Sequence, residues 1–510
     1  MKRPVLFVQL TVGLTCLVLL LVACHAVPFG LPQVWTWRYI PLGAPLRVIF
    51  PLVPFAALVL VVWKLLPGLL TATPTSQSEW RALLSLWAAT SALSCGVALM
   101  HPSGWMQLAS LIINPASNSY FSTAITHPNL VGLLDHYEQK MGGFVSHAQT
   151  QSAGPIVLSG ALHKTLGALP GTQDVADTLF ALSPGVNSEF IAHNAAQWWQ
   201  VPVSAKDVSL ALLIAFIFIV IGSLAVVPIY FLGKWLCDST VGAYAAVGFA
   251  LLPGFHCFTP SVDQMYPLIT GVALCLVVIA ARSPQRAWVW MGIVGVWLAG
   301  AIFMNLGLAT LVPLCIVLWL FCGSRSTVPL DLRQKIIPPL ILIVAVPLSL
   351  LLLWVVFHFN VLAVYRTSDI LRNQLYYNNR SYLWSLPGNL GDFFSFCGVP
   401  VTLLFCSHLW HTLRSGKQGD NVANSHLGAK PLLWSFLVVL LLLDLSGKTR
   451  GEVARMWLFM TPCVLIPAAA EAQQLLRTTH VQAQRRVLAL GGCQFLQVVV
   501  FQYFVRVWGY

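Results

Sequence analysis

The chain has 510 residues, of which 57% are hydrophobic and only 9% are charged, and its formal net charge at pH 7 is +12. Soluble domains typically carry about 25% charged residues, so this composition excludes an ordinary soluble globular domain. The composition is therefore that of a protein embedded in a lipid bilayer.

Apolar runs near or above the length of a spanning helix recur along the whole chain. Such a helix needs ~18 or more apolar residues, and hydrocarbon admits only elements whose backbone hydrogen bonds are closed. The runs predict an all-α polytopic membrane protein with about 13 transmembrane helices, several short enough to be tilted, broken or partly re-entrant. They lie at residues 6–24, 48–66, 83–100, 208–232, 241–255, 266–281, 288–303, 306–322, 336–356, 396–410, 432–445, 456–470 and 487–503.

The N-terminal run allows two interpretations. A basic start, an apolar stretch and the tetrapeptide Leu21-Val22-Ala23-Cys24 are typical of a lipoprotein signal, whereas an uncleaved first span fits the same residues. We favour the uncleaved span, and both interpretations give every later segment the same orientation. The 12 cysteines of the chain include no Cys-x-x-Cys pair, which indicates neither a disulfide framework nor a zinc site.

Lysine and arginine in the short loops predict the orientation, because positive charge is retained on the cytoplasmic side. Lys2 and Arg3 place the N-terminus inside. Alternation then divides the chain into N-terminal transmembrane helices at 1–100, an outer loop at 101–207, and a transmembrane bundle at 208–510. The segment at 26–45 also lies outside, as do two further outer loops of the bundle, at 358–395 and 446–455.

These outer segments are basic, although the positive-inside bias disfavours cations there. The retained cations predict an anionic ligand, with anchoring to lipid headgroups as the alternative. Nucleic acid is not expected as a partner of this aromatic-rich outer surface. The cations are Lys140, Lys164, Lys206, Arg366, Arg372, Arg380, Lys448, Arg450 and Arg455.

The outer loop at 101–207 contains two amphipathic stretches. The first, at 129–141, predicts one helix with its apolar side chains on one stripe and Asp135 and Glu138 facing away. The second begins at Asp174, is broken by Ser183-Pro184-Gly185 and continues at 187–199 into a tryptophan pair that suits a membrane interface. We expect two or three helices lying on the bilayer surface.

Several short motifs then occur in a fixed order. Asn118-Ser119-Tyr120-Phe121-Ser122-Thr123-Ala124 follows Asn114-Pro115, and Gln151-Ser152-Ala153-Gly154-Pro155 precedes an apolar helix. Later come Thr259-Pro260-Ser261-Val262-Asp263 before a helix and Arg455-Met456-Trp457-Leu458 before Pro462. Over residues 80–470 the chain resembles the GT-C glycosyltransferases, and within them it is most similar to protein mannosyltransferases and the aminoarabinose transferase of lipid A.

The chain departs from that family at two places. Where the family carries an acidic pair, this chain has Asn118 and Ser119, neither of which can act as a general base. Where a His-Pro-Pro tract is common, it has Gln151-Ser152-Ala153. An inactive relative that binds polyprenyl lipid therefore stays an alternative.

Sugar transfer needs a base for the acceptor hydroxyl, and only sixteen acidic residues exist in the chain. Asp135 is the first candidate because it lies beside His136 on the polar face of the predicted helix, and Glu138 shares that face. A solvated helix-face charge is the alternative for Asp135. Asp263 is the third candidate, and N-terminal capping of the following helix is its alternative role.

Transfer also needs cations for the departing phosphate. The segment at 444–455 places Lys448, Arg450 and Arg455 between two spanning helices, where charges are costly unless they are paired or functional. Internal pairing, such as Glu452 with Arg455, is the alternative. Arg372 and Arg380, interleaved with tyrosines, are further candidates for binding the donor phosphate.

Neither a metal nor another cofactor is predicted. Six of the thirteen histidines fall between His101 and His193, but their spacing matches no metal motif. Some GT-C enzymes use a divalent ion, and Asp135 with His136 or His147 would supply ligands for one.

The resemblance implies an inverting transfer of a sugar from a polyprenyl-phosphate donor to a glycan, lipid or protein acceptor at the outer face of a bacterial inner (plasma) membrane. Membrane lipids are the other expected partners. The alternative class is a membrane transporter or lipid flippase. The chain shows no internal repeat and few charged residues at helix centres, which disfavours transport.

Overall fold

A computed structural model describes residues 2–26, 28–69, 75–117, 119–182, 187–323, 331–415, 428–475 and 480–506. The described chain is almost entirely helical, which confirms the all-α prediction. Its first three helices are α1 (Lys2–Ala23), α2 (Ile49–Leu69) and α3 (Ser76–Ala98). The segment between α1 and α2 forms a short hairpin of β1 (Gly30–Leu31) with β2 (Trp35–Thr36), and β3 (Arg38–Tyr39) pairs with β4 (Val505–Arg506) near the other end of the chain.

Eight short helices follow α3. They are α4 (Trp105–Ile113), α5 (Tyr120–Thr126), α6 (Leu130–Leu134), α7 (Tyr137–Lys140), α8 (His147–Thr150), α9 (Gly154–Ala168), α10 (Thr172–Ala181) and α11 (Ser188–Trp198). Their buried side chains, such as Ile112, Phe121 and Tyr137, belong to the same hydrophobic core as those of the long helices. This region is therefore packed onto the bundle.

The remaining helices build most of the bundle. They are α12 (Ala205–Ser223), α13 (Val226–Leu236), α14 (Ser239–Ala250), α15 (Pro253–Cys257), α16 (Tyr266–Arg282), α17 (Ala287–Met304), α18 (Leu311–Gly323), α19 (Leu332–Phe357), α20 (Val361–Arg372), α21 (Tyr382–Cys397), α22 (Val399–Ser415), α23 (Ala429–Leu445), α24 (Val453–Met456), α25 (Thr461–Leu475) and α26 (His480–Phe504).

The described part of the chain contains nine helices long and apolar enough to cross a membrane, or ten if the bent pair α21–α22 is one span. The chain is thus a multi-pass integral membrane protein. Three other predicted spans fall on α18, α23 and α25, whose 13, 17 and 15 residues are shorter than an 18-residue span. The number of thirteen stays a prediction.

The amphipathic stretch at 129–141 is not one helix, as its apolar stripe had predicted. Helix α6 ends at Leu134, Asp135 is extended (φ −60°, ψ 114°), and His136 adopts the left-handed conformation (φ 49°) before α7 begins. The Lys140 ammonium donates to the carbonyl oxygens of Gly132 and Asp135, which the break leaves without helical partners. Asp135 and Glu138 therefore do not share one helical face.

The second amphipathic stretch forms α10 and α11, and the predicted break at Ser183-Pro184-Gly185 lies outside the described residues. Asn187 caps α11 by accepting a hydrogen bond from the amide of Phe190. Trp198 at the end of α11 is 69% exposed. An exposed indole at this position is typical of a side chain at a membrane interface.

The α21–α22 pair bends by 115° at Gly398, whose φ is +92°. Two glutamines of α26 satisfy backbone groups that the bend frees. The side-chain oxygen of Gln497 accepts from the Val399 amide at 2.9 Å and its nitrogen donates to the Ser395 carbonyl at 2.8 Å, while Gln494 donates to the Cys397 carbonyl at 2.6 Å. In hydrocarbon, backbone amides and carbonyls without a protein partner have no water with which to form a hydrogen bond.

We expect Gln497→Leu to lower the free energy of unfolding by about 1–3 kcal/mol, since it leaves the Val399 amide without a partner and leaves the Ser395 carbonyl with the Gly398 amide alone. Urea unfolding in detergent would measure the change. Gln484→Leu on the same helix is the matched control, because Gln484 is more exposed and its hydrogen bond to the Trp63 carbonyl is long, at 3.4 Å. Equal stabilities of the two variants would contradict this role.

Candidate functional site

Four segments that are distant in sequence meet at one end of the bundle, here called the polar end. They are the hairpin region at 28–44, the short-helix region at 101–204, the segment at 358–381 and the segment at 446–457. Arg455 bonds to His147, Lys448 pairs with Asp369, and Arg380 stacks over Trp35. The sequence had assigned all four segments to a single face.

Arg455, in the short helix α24, lies at the centre of the polar end. Its Nε is 3.3 Å from an oxygen of Asp263, and its Nη2 is 3.6 Å from Glu452 and 3.2 Å from Nε2 of His147. The side chains of Arg455 and Asp263 are each only 12% exposed. A buried guanidinium needs such partners, because removal from water costs several kcal/mol per ion.

Asp263 lies in the turn that leads into α16, and two roles had been weighed for it. The cap of this turn is Ser261, whose hydroxyl accepts from the Asp263 amide at 3.2 Å while Gln264 reaches back to the Ser261 amide at 3.3 Å. The Asp263 carboxylate is therefore not the cap. It faces Arg455 and accepts a hydrogen bond from Tyr266, whose hydroxyl also accepts from Asn305.

Glu452 connects two arginines. One of its oxygens is 3.4 Å from Arg380 and the other is 3.6 Å from Arg455, so the internal ion pair that had been the alternative for this segment is present. Glu452 adopts the left-handed conformation with φ 56°, which is costly for a residue with a side chain. The Arg380 guanidinium lies 4.9 Å from the ring centre of Trp35, a cation–π contact.

The other predicted phosphate ligands bind groups of the protein itself. Arg450 donates to the carbonyls of Tyr377 and Arg380 at 3.2 Å and lies over the rings of Tyr377 and Tyr382. Arg372 donates to the Ser368 hydroxyl at 2.8 and 3.1 Å, and Lys448 pairs with Asp369 at 2.8 Å. In the structure these three cations are therefore bound by neighbouring groups of the protein.

The two acids predicted first as the base lie elsewhere. The Asp135 side chain is 50% exposed and pairs with His358 at 3.1 Å, and Glu138 is 3.5 Å from His136. Within the part of the chain that the structure describes, no contact joins either acid to Arg455. Of the three predicted bases, only Asp263 contacts a predicted phosphate ligand.

Several residues of the polar end were given no part in sugar transfer by the sequence-based prediction, which named His147 only as an alternative metal ligand. Burial, and then the charge of Arg455, lower the pKa of His147 to about 3, so its ring is neutral at pH 7. Burial raises the pKa of Tyr120, which is within electrostatic reach of Arg455. Trp37 donates to Asp392 at 2.6 Å. Trp35 and Trp37 lie in the outer segment at 26–45, to which the sequence-based prediction gave no role in the site. Two tryptophans in an outer loop were a signal that could have identified this segment.

Ser119, the described member of the Asn118-Ser119 pair, has a structural role. It adopts the left-handed conformation with φ 53°, and its hydroxyl accepts from the Ala148 amide at 2.8 Å. Asn118 lies outside the described residues. Among the residues that are described, no group of three or more His, Cys, Asp or Glu side chains could hold a metal ion. Neither a protein-family model nor a curated protein matches this chain.

Proposed function

We propose that the protein is a GT-C-like glycosyltransferase that moves a sugar, with inversion, from a polyprenyl-phosphate donor to a glycan, lipid or protein acceptor. The observation that carries the proposal is the buried Arg455 with a carboxylate on each side, at a polar end beside spanning helices. One cation for a leaving phosphate and one carboxylate for an acceptor proton are the minimum that this reaction needs.

Arg455 is the proposed ligand of the donor phosphate. A guanidinium offers five N–H donors in a fixed plane, and it binds two phosphate oxygens side by side. In the resting protein, Nε faces Asp263 while Nη2 faces Glu452 and His147. A phosphate that engages Arg455 therefore competes with these carboxylates, and its binding releases one of them beside the reacting carbon.

Asp263 is the carboxylate that we assign as the base. Glu452 is held by Arg380 as well as by Arg455, and so keeps a counterion when phosphate arrives, whereas the ion pair of Asp263 is with Arg455. Asp263 takes the proton of the acceptor hydroxyl, and the acceptor oxygen bonds to the anomeric carbon. The bond from that carbon to the phosphate oxygen breaks on the opposite face, and the phosphate leaves with the electron pair.

The proposal includes about 13 transmembrane helices, with α18, α23 and α25 as short spans, and a polar end outside a bacterial inner membrane. We expect single cysteines at Lys140 and Lys448, both exposed, to react with a membrane-impermeant maleimide in intact cells. A cysteine at exposed Arg286, in a loop predicted to be inside, should react only after permeabilisation. Labelling of Lys140 and Lys448 replacements from opposite sides would refute the site.

The reaction itself is tested with purified protein and a radiolabelled polyprenyl-phosphate sugar. We expect binding of the donor and, with membrane-derived acceptors, release of polyprenyl phosphate together with a labelled product. Binding without release under any acceptor would leave the inactive lipid-binding relative as the better description. Absence of binding would refute the proposal.

One observation favours the alternative class, a membrane transporter or flippase. Glu471, which the sequence had placed beyond the end of its predicted span, lies inside α25 with a fully buried side chain, 3.0 Å from His411 and 3.6 Å from His408 of α22. A buried ionisable group in a membrane bundle is a candidate for ion coupling. Proton-driven uptake or lipid translocation by proteoliposomes, lost in Glu471→Gln, would support transport.

A further inference from the structure

His147 makes the contact between the short-helix region and the central arginine. Its Nε2 lies 3.2 Å from Nη2 of Arg455. An arginine has no acceptor atom, so the imidazole must accept this hydrogen bond, which requires the neutral ring with its proton on Nδ1. The lowered pKa of His147, about 3, is consistent with that form at neutral pH.

The turn that carries His147 is held from several directions. The Ala148 amide donates to the Ser119 hydroxyl at 2.8 Å, and the Tyr137 hydroxyl is 3.2 Å from the carbonyls of Ala148 and Gln151. On the other side, the Ser368 hydroxyl donates to the Thr150 carbonyl at 2.6 Å. The short helices and α20 thus hold the backbone of the turn that carries His147.

The turn is also strained. Ser146, directly before His147, has φ 53° and ψ −124°, a backbone conformation that persists only where the surroundings enforce it. Its hydroxyl donates to the Ala116 carbonyl at 3.3 Å and also bonds with Tyr376 of the segment at 358–381. From this turn, Nε2 of the imidazole contacts Arg455.

We infer that His147 is a positioning residue that orients the Arg455 guanidinium toward the donor phosphate, through the hydrogen bond between Nε2 and Nη2. The inference rests on the proposed function and adds that the short-helix region affects the site through this hydrogen bond. Glu452 and His147 both contact Nη2, so this end of the guanidinium is already oriented when the donor displaces Asp263 from Nε. Preset geometry lowers the ordering cost of binding.

The test compares His147→Gln with His147→Asn, two variants of similar polarity. The Gln amide oxygen reaches the position of Nε2 and the Asn oxygen does not. With a fluorescent short-chain polyprenyl phosphate as probe, we expect His147→Gln to bind within about threefold of the wild type and His147→Asn to bind about tenfold more weakly, the scale of one hydrogen bond to a charged group. His163→Ala, which removes the pairing of His163 with Asp207 in the same region, should bind like the wild type.

A second arm shows whether the effect passes through Arg455. In an Arg455→Lys background, His147→Asn should cause no further loss, because groups that act as a unit are not additive. Equal binding by His147→Gln and His147→Asn, or full additivity with Arg455→Lys, would overturn the inference. Failure of the wild type itself to bind the probe would overturn the proposed function. This result differs from the two results that overturn only the inference on His147.

Discussion

Asp263→Asn is expected to abolish sugar transfer while the donor still binds. The substitution keeps the size of the side chain and removes the carboxylate that we propose as the base, so kcat should fall by about 10²–10⁴-fold, the usual contribution of a general base. Because the neutral Asn side chain cannot form an ion pair with Arg455, the donor phosphate loses a charged competitor. Donor affinity should therefore stay equal or increase. Single-turnover transfer and equilibrium donor binding together would measure the two effects.

Asp135→Asn and Glu138→Gln are the matched controls for this prediction. The half-exposed Asp135 pairs with His358 and Glu138 lies by His136, so neither substitution should change kcat more than a few-fold. Loss of turnover in Asp135→Asn with normal turnover in Asp263→Asn would return the base to the short-helix region. Full turnover by Asp263→Asn and Glu452→Gln alike would mean that neither carboxylate beside Arg455 acts as the base.

Arg455→Lys is expected to weaken donor binding by ~1–3 kcal/mol, the scale of a charge-assisted hydrogen bond. The ammonium keeps the charge, but it is a point donor that cannot face Asp263, His147 and a phosphate in one plane. The loss should therefore appear in the affinity for polyprenyl phosphate without any change of net charge. Equilibrium titration with the fluorescent probe would measure it.

The matched control is Arg286→Lys, the same chemical change at an exposed position of a predicted inner loop. It should leave donor affinity unchanged. Thermal unfolding of both variants would show whether Arg455→Lys disrupts the fold, since it also disturbs a buried charge cluster. Unchanged binding by a folded Arg455→Lys protein would make Arg455 a structural residue of the polar end.

Local sequence was sufficient for the spanning helices. A run of apolar residues predicts a helix wherever it lies, because hydrocarbon leaves the backbone no other partners. The run at 336–356 falls within α19 (Leu332–Phe357), and the run at 487–503 falls within α26 (His480–Phe504). Charged or polar residues next to an apolar run make the predicted ends of the helix inaccurate. The run at 456–470 omitted Glu471, which burial against α22 keeps inside the helix.

Tertiary structure decided the candidate site. The sequence singled out Asp263 and Arg455 separately, but it could not pair them, nor could it place His147 beside Arg455, which is 308 positions away. It also preferred Asp135, because an amphipathic stripe reads as one continuous helix, whereas Lys140 and the packing of the short helices stabilise a break at Asp135 and His136. Whether an apolar run forms a spanning helix depends on neighbouring residues along the chain and on the bilayer. Buried ion pairs depend on which helix ends meet in space, and only the packing of the bundle determines that.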